Sequence, residues 1–208
     1  SPNNGVSGAV TDPAVPILSP DVSQNTADFN DLGNVGWAVE AINYLSEKGV
    51  LNGKEEGKFS PDDPVTREEF VKMIVESLHI LDDSAKANFS DVAEDRWSYA
   101  YIASGVAAKI INGISDLEFA PGATITRQDM AVITYRCAQL IQLDLRGSAN
   151  FNDENAVSDY ARNAVSSLAG AGIINGVGDG NFAPKESVTR AQAAKIVYEL
   201  VMANGGIK

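Results

Sequence analysis

Apolar residues recur every three or four positions in several short stretches of the chain, which is the spacing of one face of an α-helix. Loops rich in Gly, Asn and Asp separate these stretches, and strand-like alternation does not persist beyond a few residues. The periodic positions are Trp37, Ala41, Ile42 and Leu45; Phe70, Met73, Ile74 and Leu78; Met130, Ile133, Cys137 and Leu140; Ala164, Val165 and Leu168; and Ala193, Ile196, Val197 and Leu200. The pattern predicts an all-α protein.

The helical stretches lie inside a unit that occurs three times. Each unit has an aromatic–polar–Asp triplet, a second aromatic, an Asn-Gly loop, a Phe-x-Pro turn and a Thr-Arg pair, in that order. The Asp, second aromatic, loop glycine, Phe and Arg are Asp31, Trp37, Gly53, Phe59 and Arg67; Asp91, Trp97, Gly113, Phe119 and Arg127; and Asp153, Tyr160, Gly176, Phe182 and Arg190. We therefore place helix-loop-helix repeats at residues 29–88, 89–150 and 151–208.

A unit of about 60 residues with two helices has a thin core of its own. We therefore expect the three repeats to pack against one another as one folding body. The proline of the Phe-x-Pro turn lies outside the helices, and the Phe is predicted to anchor the loop on the core.

Residues at the predicted helix ends have the chemistry of caps. The Asp of each triplet lies shortly before the first helix, where its carboxylate can accept hydrogen bonds from free N–H groups. The second helices begin at a Thr, and a capping box is predicted where the third helical residue reaches back to it. These pairs are Thr66 with Glu69, Thr189 with Gln192, and, in a weaker form, Thr126 with Asp129.

The residue that follows the first helix differs between repeats. Gly49 and Gly172 suit the left-handed conformation that commonly ends a helix. Lys109 stands at this position in the second repeat, so we expect its ending to differ or to be strained.

Charge narrows the classes of partner. The 208 residues carry 16 basic and 28 acidic side chains, a net charge of −12, which repels nucleic acid and anionic membranes at long range. No apolar run reaches the roughly 18 residues that span a bilayer, and the first ten residues do not have the pattern of a signal peptide. We expect neither a nucleic acid nor a membrane as partner.

Candidate chemistry is sparse. The single Cys137 and single His79 exclude an internal disulfide and the common zinc sites, and Cys137 is interpreted as a core residue. No nucleophile–base set and no phosphate-binding loop can be assembled. The adjacent carboxylates Glu68/Glu69 and Asp82/Asp83 are interpreted as solvated charge. We expect no catalysis and no cofactor. The Asp/Asn-rich loops leave calcium binding open, but they have no 12-residue EF-hand pattern, so we assign no metal ligands.

Residues 1–28 stand outside the repeat pattern. They contain four of the eight prolines and have no amphipathic period, which is typical of a linker. We expect a larger protein to have preceded this segment, with the repeats at its C-terminal end.

The three Thr-Arg arginines stand at the first position of a helix, where the helix dipole disfavours a cation by roughly 0.3–1 kcal/mol. An anion explains this placement, because helix-start N–H groups and a guanidinium together bind carboxylate or phosphate. The alternative is that each arginine pairs with neighbouring carboxylates or lies along its own helix. Trp37, Trp97 and Tyr160 likewise have two interpretations, as core residues or as flat platforms for sugar rings.

The combination of motifs resembles the S-layer homology family. That signature includes an Asp after an aromatic, a Trp-led first helix, Gly-x-x-Asn-Gly, Phe-x-Pro and a Thr-Arg-Ala-Glu-type motif, and the resemblance covers residues 29 to about 203. It implies a pseudo-threefold, three-pronged spindle whose inter-repeat grooves bind secondary cell-wall polymers, often through a pyruvate ketal on N-acetylmannosamine. It also implies an exported protein located at the cell wall or in a surface layer.

The resemblance places the motif arginine against the pyruvate carboxylate. The candidate ligand-binding residues are therefore Arg67, Arg127 and Arg190, with Trp37, Trp97, Tyr160, Asp31, Asp91, Asp153, Gly53, Gly113 and Gly176. The motifs depart from consensus, and the second repeat has Asp116-Leu117-Glu118, with no glycine where the others have Gly57 and Gly180. We expect fewer than three working grooves. The alternative function is a helical scaffold for a protein partner, favoured if the arginines are buried in ion pairs.

Overall fold

A computed structural model describes residues 29–207, and the predicted linker at 1–28 lies outside them. This part of the chain contains six α-helices and two single 3-10 turns, Gly36–Ala38 and Glu154–Ala156. The helices are α1 (Val39–Glu47), α2 (Arg67–Ser77), α3 (Tyr99–Ala107), α4 (Arg127–Leu140), α5 (Asp159–Gly170) and α6 (Arg190–Ala203). Only isolated β-bridges accompany them among these residues, so the all-α prediction is confirmed.

The predicted caps of the second helices are present. Thr66 accepts a hydrogen bond from the N–H of Glu69, and the Glu69 carboxylate accepts one from the N–H of Thr66 at 2.8 Å. Gln192 completes the equivalent box at α6. Asp129 is too short for this reach, so its carboxylate accepts the Thr126 hydroxyl instead at 2.7 Å.

The ends of the first helices agree with the glycine pattern. Gly49 and Gly172 have φ of 73° and 74°. Lys109 adopts the same left-handed conformation, with φ of 61°, although its Cβ makes this region unfavourable. The strained ending predicted for the second repeat is confirmed.

The predicted capping role of the triplet Asp residues is wrong. Within the described residues no side chain caps α1, α3 or α5. Asp153 instead accepts hydrogen bonds from the N–H groups of Phe182 and Ala183, both at 2.8 Å. The left-handed Ala183, with φ of 57°, lies at the turn where these two successive N–H groups meet one carboxylate. Asp31 and Asp91 do the same in their repeats.

The main helix pairs form between repeats. The first helix of a repeat packs on the second helix of the preceding repeat, so that α3 packs on α2 and α5 packs on α4. The first repeat completes the series, because α1 packs on α6. The order of contacts is therefore cyclic, although the chain is linear.

A ring of backbone hydrogen bonds joins the segments that precede the second helices. The Val65 N–H donates to the Val188 carbonyl at 2.9 Å, Val188 to Ile125 at 3.0 Å, and Ile125 to Val65 at 3.0 Å. All three side chains are fully buried. These contacts give the repeats equivalent places around one centre, and the three-pronged outline remains a prediction.

One hydrophobic core takes residues from all three repeats. Phe59, Phe119 and Phe182 are fully buried, which confirms that the Phe-x-Pro turn is anchored on the core. Cys137 is also fully buried, and desolvation raises the pKa of its thiol, so its interpretation as a core residue is confirmed. Leu140 is exposed, contrary to its predicted place in the apolar stripe. No helix in the described part has the length and apolarity needed to cross a bilayer.

Candidate functional site

Each Thr-Arg arginine reaches into the next repeat. Arg127 donates from Nε to the Phe182 carbonyl at 2.6 Å and from Nη2 to the Asn175 carbonyl at 2.8 Å. Its guanidinium also lies 4.7 Å from the centre of the Phe182 ring. Arg67 makes the same contacts with Phe119 and Asn112. Arg190 makes them with Phe59 and Asn52 of the first repeat, again in cyclic order.

These arginines are buried cations. Their exposed fractions are 8% for Arg67, 3% for Arg127 and 9% for Arg190. Burial lowers the pKa of each guanidinium, but arginine remains protonated in proteins. None forms an ion pair with a described carboxylate, so the alternative that explained them by ion pairing is wrong.

The helix-start amides are already occupied. The N–H groups of Arg127 and Gln128 donate to the carbonyls of Glu186 and Pro184 at 2.9 and 3.0 Å, and the Thr126 hydroxyl accepts from the third N–H. The other two second helices have equivalent partners. The hypothesis that these amides bind an anion is therefore wrong, which leaves the guanidinium.

One guanidinium nitrogen of each arginine has no hydrogen-bond partner among residues 29–207. Nε and Nη2 are bonded as described, and no residue in the described part accepts a hydrogen bond from Nη1. Ser46 Oγ is the only fully buried side-chain polar atom without a partner among these residues. Nη1 must therefore be in contact with solvent, where it can donate to a ligand.

Arg127 lies in the wall of a groove of about 520 Å³. The other lining residues are Ile173, Asn175, Gly176, Val177, Gln192, Lys195, Ile196 and Trp37. The arginine comes from the second repeat, the Asn-Gly loop and α6 from the third, and the tryptophan from the first. We call this set the Arg127 groove, and each of the three repeats contributes to it.

Alignment of the repeats gives two further sets of residues that are equivalent to the Arg127 groove, and we name them after their arginines. The Arg190 groove combines Arg190 with Asn52, Gly53, Glu69, Lys72 and Trp97. The Arg67 groove combines Arg67 with Asn112, Gly113, Asp129, Val132 and Tyr160. In the Arg127 groove the fold thus places a predicted arginine, loop glycine and aromatic together, and the three come from three different repeats.

The three aromatics are exposed. Trp37, Trp97 and Tyr160 expose 53%, 47% and 61% of their surface, so their interpretation as core residues is wrong. In the first repeat, the 3-10 turn at Gly36–Ala38 buries Ala38 completely and leaves Trp37 exposed. Exposed flat rings beside a groove have the shape on which a sugar ring can stack.

The loop glycines are required by close backbone approach. A Cβ on Gly53 would lie 2.5 Å from the Lys58 carbonyl oxygen and 2.8 Å from the Phe29 ring. Gly113 and Gly176 are equally crowded by the carbonyls of Glu118 and Asn181. These glycines therefore let the loop fold back on itself, which positions the Asn carbonyl that accepts from the arginine.

The triplet Asp residues support the same loops from behind. Partial burial raises the pKa of Asp153, but hydrogen bonds from the N–H groups of Phe182 and Ala183 outweigh this and hold the pKa below its ordinary value. The carbonyl of that same Phe182 accepts from Arg127. Asp31 and Asp91 have equivalent surroundings. The structure thus places these residues behind the arginine rather than on the groove wall.

Two lysines of the grooves were missed in the sequence. Lys195 lines the Arg127 groove, where it also pairs with Glu199 at 2.6 Å. Lys72 has the equivalent position in α2, and burial lowers its pKa. Both lie five residues after the Thr-Arg arginine, a spacing that recurs in two repeats and could have indicated them.

No group of three or more His, Cys, Asp or Glu side chains in the described residues is placed to hold a metal ion. The carboxylates near the arginines are instead used in hydrogen bonds to backbone and hydroxyl groups. The candidate site is the Arg127 groove with its two equivalent sets, which present a guanidinium, a ring face and loop backbone to a ligand.

Comparison with known proteins tests the resemblance. The S-layer homology domain model matches this chain at residues 28–71, 88–131 and 150–194. Amylopullulanase of Thermoanaerobacterium thermosulfurigenes is 35% identical over 182 residues, which are 86% of this chain and 10% of that protein. Exoglucanase XynX of Acetivibrio thermocellus is 34% identical over 183 residues, 86% of this chain and 17% of that protein.

An S-layer protein is among the relatives as well. S-layer protein sap of Bacillus anthracis is 30% identical over 183 residues, which cover 87% of this chain and 22% of that protein. The chain thus spans only a small part of the length of the relatives it matches. Three tandem family matches, over more than half of its residues, show that this chain belongs to the S-layer homology family.

Proposed function

We propose that this chain anchors an exported protein, without a covalent bond, to the bacterial cell wall by binding an anionic secondary cell-wall polysaccharide. Membership of the S-layer homology family and the S-layer proteins among its relatives support anchoring at the cell surface. The repeats at 29–88, 89–150 and 151–208 act together in this role.

The Arg127 groove is the observation that supports the polysaccharide as ligand. It offers, within one concave surface, the exposed Trp37 ring, the Lys195 ammonium and a buried guanidinium, one nitrogen of which has no partner in the described part of the chain. A pyruvate ketal carries a carboxylate on a sugar ring, so it matches the guanidinium and the aromatic face at once. We assign the carboxylate to Arg127 and the ring to Trp37.

The enzyme names among the relatives do not extend to this chain. Amylopullulanase and exoglucanase XynX match it over 10% and 17% of their own lengths. The shared part is the three-repeat module, so we propose that the chain is a non-catalytic anchor.

A protein-binding scaffold is the competing function. Burial of the arginines in ion pairs was the observation that would have favoured it, and their partners are instead carbonyl groups of the next repeat. Binding that is independent of the glycan would revive this alternative.

Purified wall polymer, before and after mild acid removal of its ketals, tests the proposal. The arginines are unsuitable first targets because they also hold the repeats together. Trp37→Ala and Lys195→Ala remove groove contacts without removing those interactions, and we expect each to weaken binding about tenfold. Leu81→Ala, an exposed apolar residue outside the grooves, is the matched control.

Calorimetry with a short pyruvylated wall fragment gives the affinity and the stoichiometry together. Binding that survives ketal removal and both groove variants would contradict the proposed ligand.

A further inference from the structure

We propose that the third residue of each second helix sets the charge of its groove, so that the Arg127 groove, which has Gln192 there, is the strongest anion site of the chain. The residue at this position is Glu69 in the Arg190 groove and Asp129 in the Arg67 groove. The inference rests on the proposed function only for the identity of the natural ligand.

The lining of the Arg127 groove contains two cations and no carboxylate. Gln192 is neutral, and its amide oxygen accepts from the Thr189 N–H at 3.1 Å. Lys195 forms a salt bridge with Glu199. The carboxylates whose charges raise the pKa of Arg127 are Glu186 and Asp153, and neither lines the groove.

The Arg190 groove has one negative charge more at the helix start. Burial lowers the pKa of Arg190, and the carboxylate whose charge opposes this most is Glu69, followed by Asp63 and Asp31. Lys72 stands in the place of Lys195 and lies 5.8 Å from the centre of the Tyr101 ring, which neighbours Trp97. An anion bound to Arg190 must therefore approach a carboxylate.

The Arg67 groove is the least suited to an anion. Asp129 is the carboxylate whose charge raises the pKa of Arg67 most. The Tyr160 hydroxyl donates a hydrogen bond to it at 2.6 Å. Val132 stands where the other grooves have lysine. Leu117, which is 66% exposed, stands where the other two repeats have Gly57 and Gly180. The charges of Arg67 and Asp129 therefore offset each other in this groove. This agrees with the expectation of fewer than three working grooves.

The size of the effect follows from Coulomb's law. A unit charge about 6–8 Å from a bound carboxylate changes its affinity roughly five- to tenfold in the partly solvated surroundings of a groove. Exchange of Gln and Glu isolates this effect, because either side chain can complete the capping box at the Thr. Reciprocal variants therefore change the charge while keeping the helix start.

The two tryptophans of the chain let each groove be followed separately. We would titrate the full chain with sodium pyruvate as the carboxylate probe and record the indole N–H signals of Trp37 and Trp97 by NMR. In the wild type, Trp37 should respond at lower pyruvate concentration than Trp97. Gln192→Glu should weaken the Trp37 response five- to tenfold, and Glu69→Gln should strengthen the Trp97 response by a similar factor.

Equal responses of the two indoles, no response of either, or exchanges that change both affinities less than twofold would each overturn the charge inference. The same variants are then tested with the pyruvylated wall fragment. If pyruvate follows the expected order but the fragment does not bind, the proposed function fails while the charge inference stands. If the fragment binds but the exchanges have no effect, the charge inference fails while the proposed function stands.

Discussion

Lys109 occupies a backbone conformation that the other two repeats assign to glycine. Its φ of 61° matches the 73° and 74° of Gly49 and Gly172, which shows that the end of the first helix is imposed by the fold and not chosen by the residue. The carbonyls near the end of α3 are bonded in the same way as in the other repeats. The lysine therefore accepts strain to keep a common chain path.

Lys109→Gly should raise the free energy of unfolding by about 0.5–1 kcal/mol, because relief of the Cβ strain exceeds the added entropy of glycine in the unfolded chain. Chemical denaturation measures the change. Gly49→Ala is the matched reverse variant and should lower the free energy of unfolding by a similar amount. A less stable Lys109→Gly protein would contradict this account.

The second residues of α2 and α4 each join their helix to the start of the first helix of the next repeat. Glu68 is buried and binds Arg96 through two hydrogen bonds of 2.8 Å and the Ser98 hydroxyl at 2.5 Å. Gln128 uses its side chain in the same place to hold the start of α5. The interpretation of Glu68 as solvated charge is therefore wrong, since its partners come from a distant part of the sequence.

Glu68→Ala should lower the free energy of unfolding by about 1–2 kcal/mol, because it removes charged hydrogen bonds while Arg96 can still turn to water. Glu47→Ala, at an exposed position of α1, should have almost no effect. A double-mutant cycle with Arg96→Ala separates the pair from its surroundings. A coupling free energy near zero would show that the contact does not join α2 to α3.

Contacts between the first and last repeats close the molecule. Arg190 binds carbonyls of Asn52 and Phe59, which are 138 and 131 residues away in sequence. The Tyr198 hydroxyl donates to Glu40, and the Ile207 N–H donates to the Tyr44 hydroxyl, both at 2.8 Å. The ends of the described chain are thus joined by the same kind of interface as consecutive repeats.

Arg190→Ala should lower the free energy of unfolding by about 2–4 kcal/mol, as much as Arg127→Ala, because each leaves two carbonyls without a donor and removes a ring contact. Arg146→Ala, whose side chain is 88% exposed, is the control. If Arg190→Ala unfolded no more easily than Arg146→Ala, closure by Arg190 would not contribute to stability.

Helix positions, the Thr caps and the anchored phenylalanines could be predicted because each depends on residues close in sequence. Capping links Thr66 to Glu69 three positions away, and helical periodicity links neighbouring turns. The Thr-Arg arginines were also recognisable, since a cation at a helix start is locally unfavourable.

The partners of those arginines could not be predicted. Three similar repeats offer chemically similar carbonyls to each guanidinium, and nothing local distinguishes the same repeat from the next one. The exposure of Trp37 could not be predicted for a related reason, because periodicity defines a helix face but not which residues cover it. Cyclic packing of whole repeats settles both, and it alone brings Arg127, Gly176 and Trp37 from three repeats into one groove.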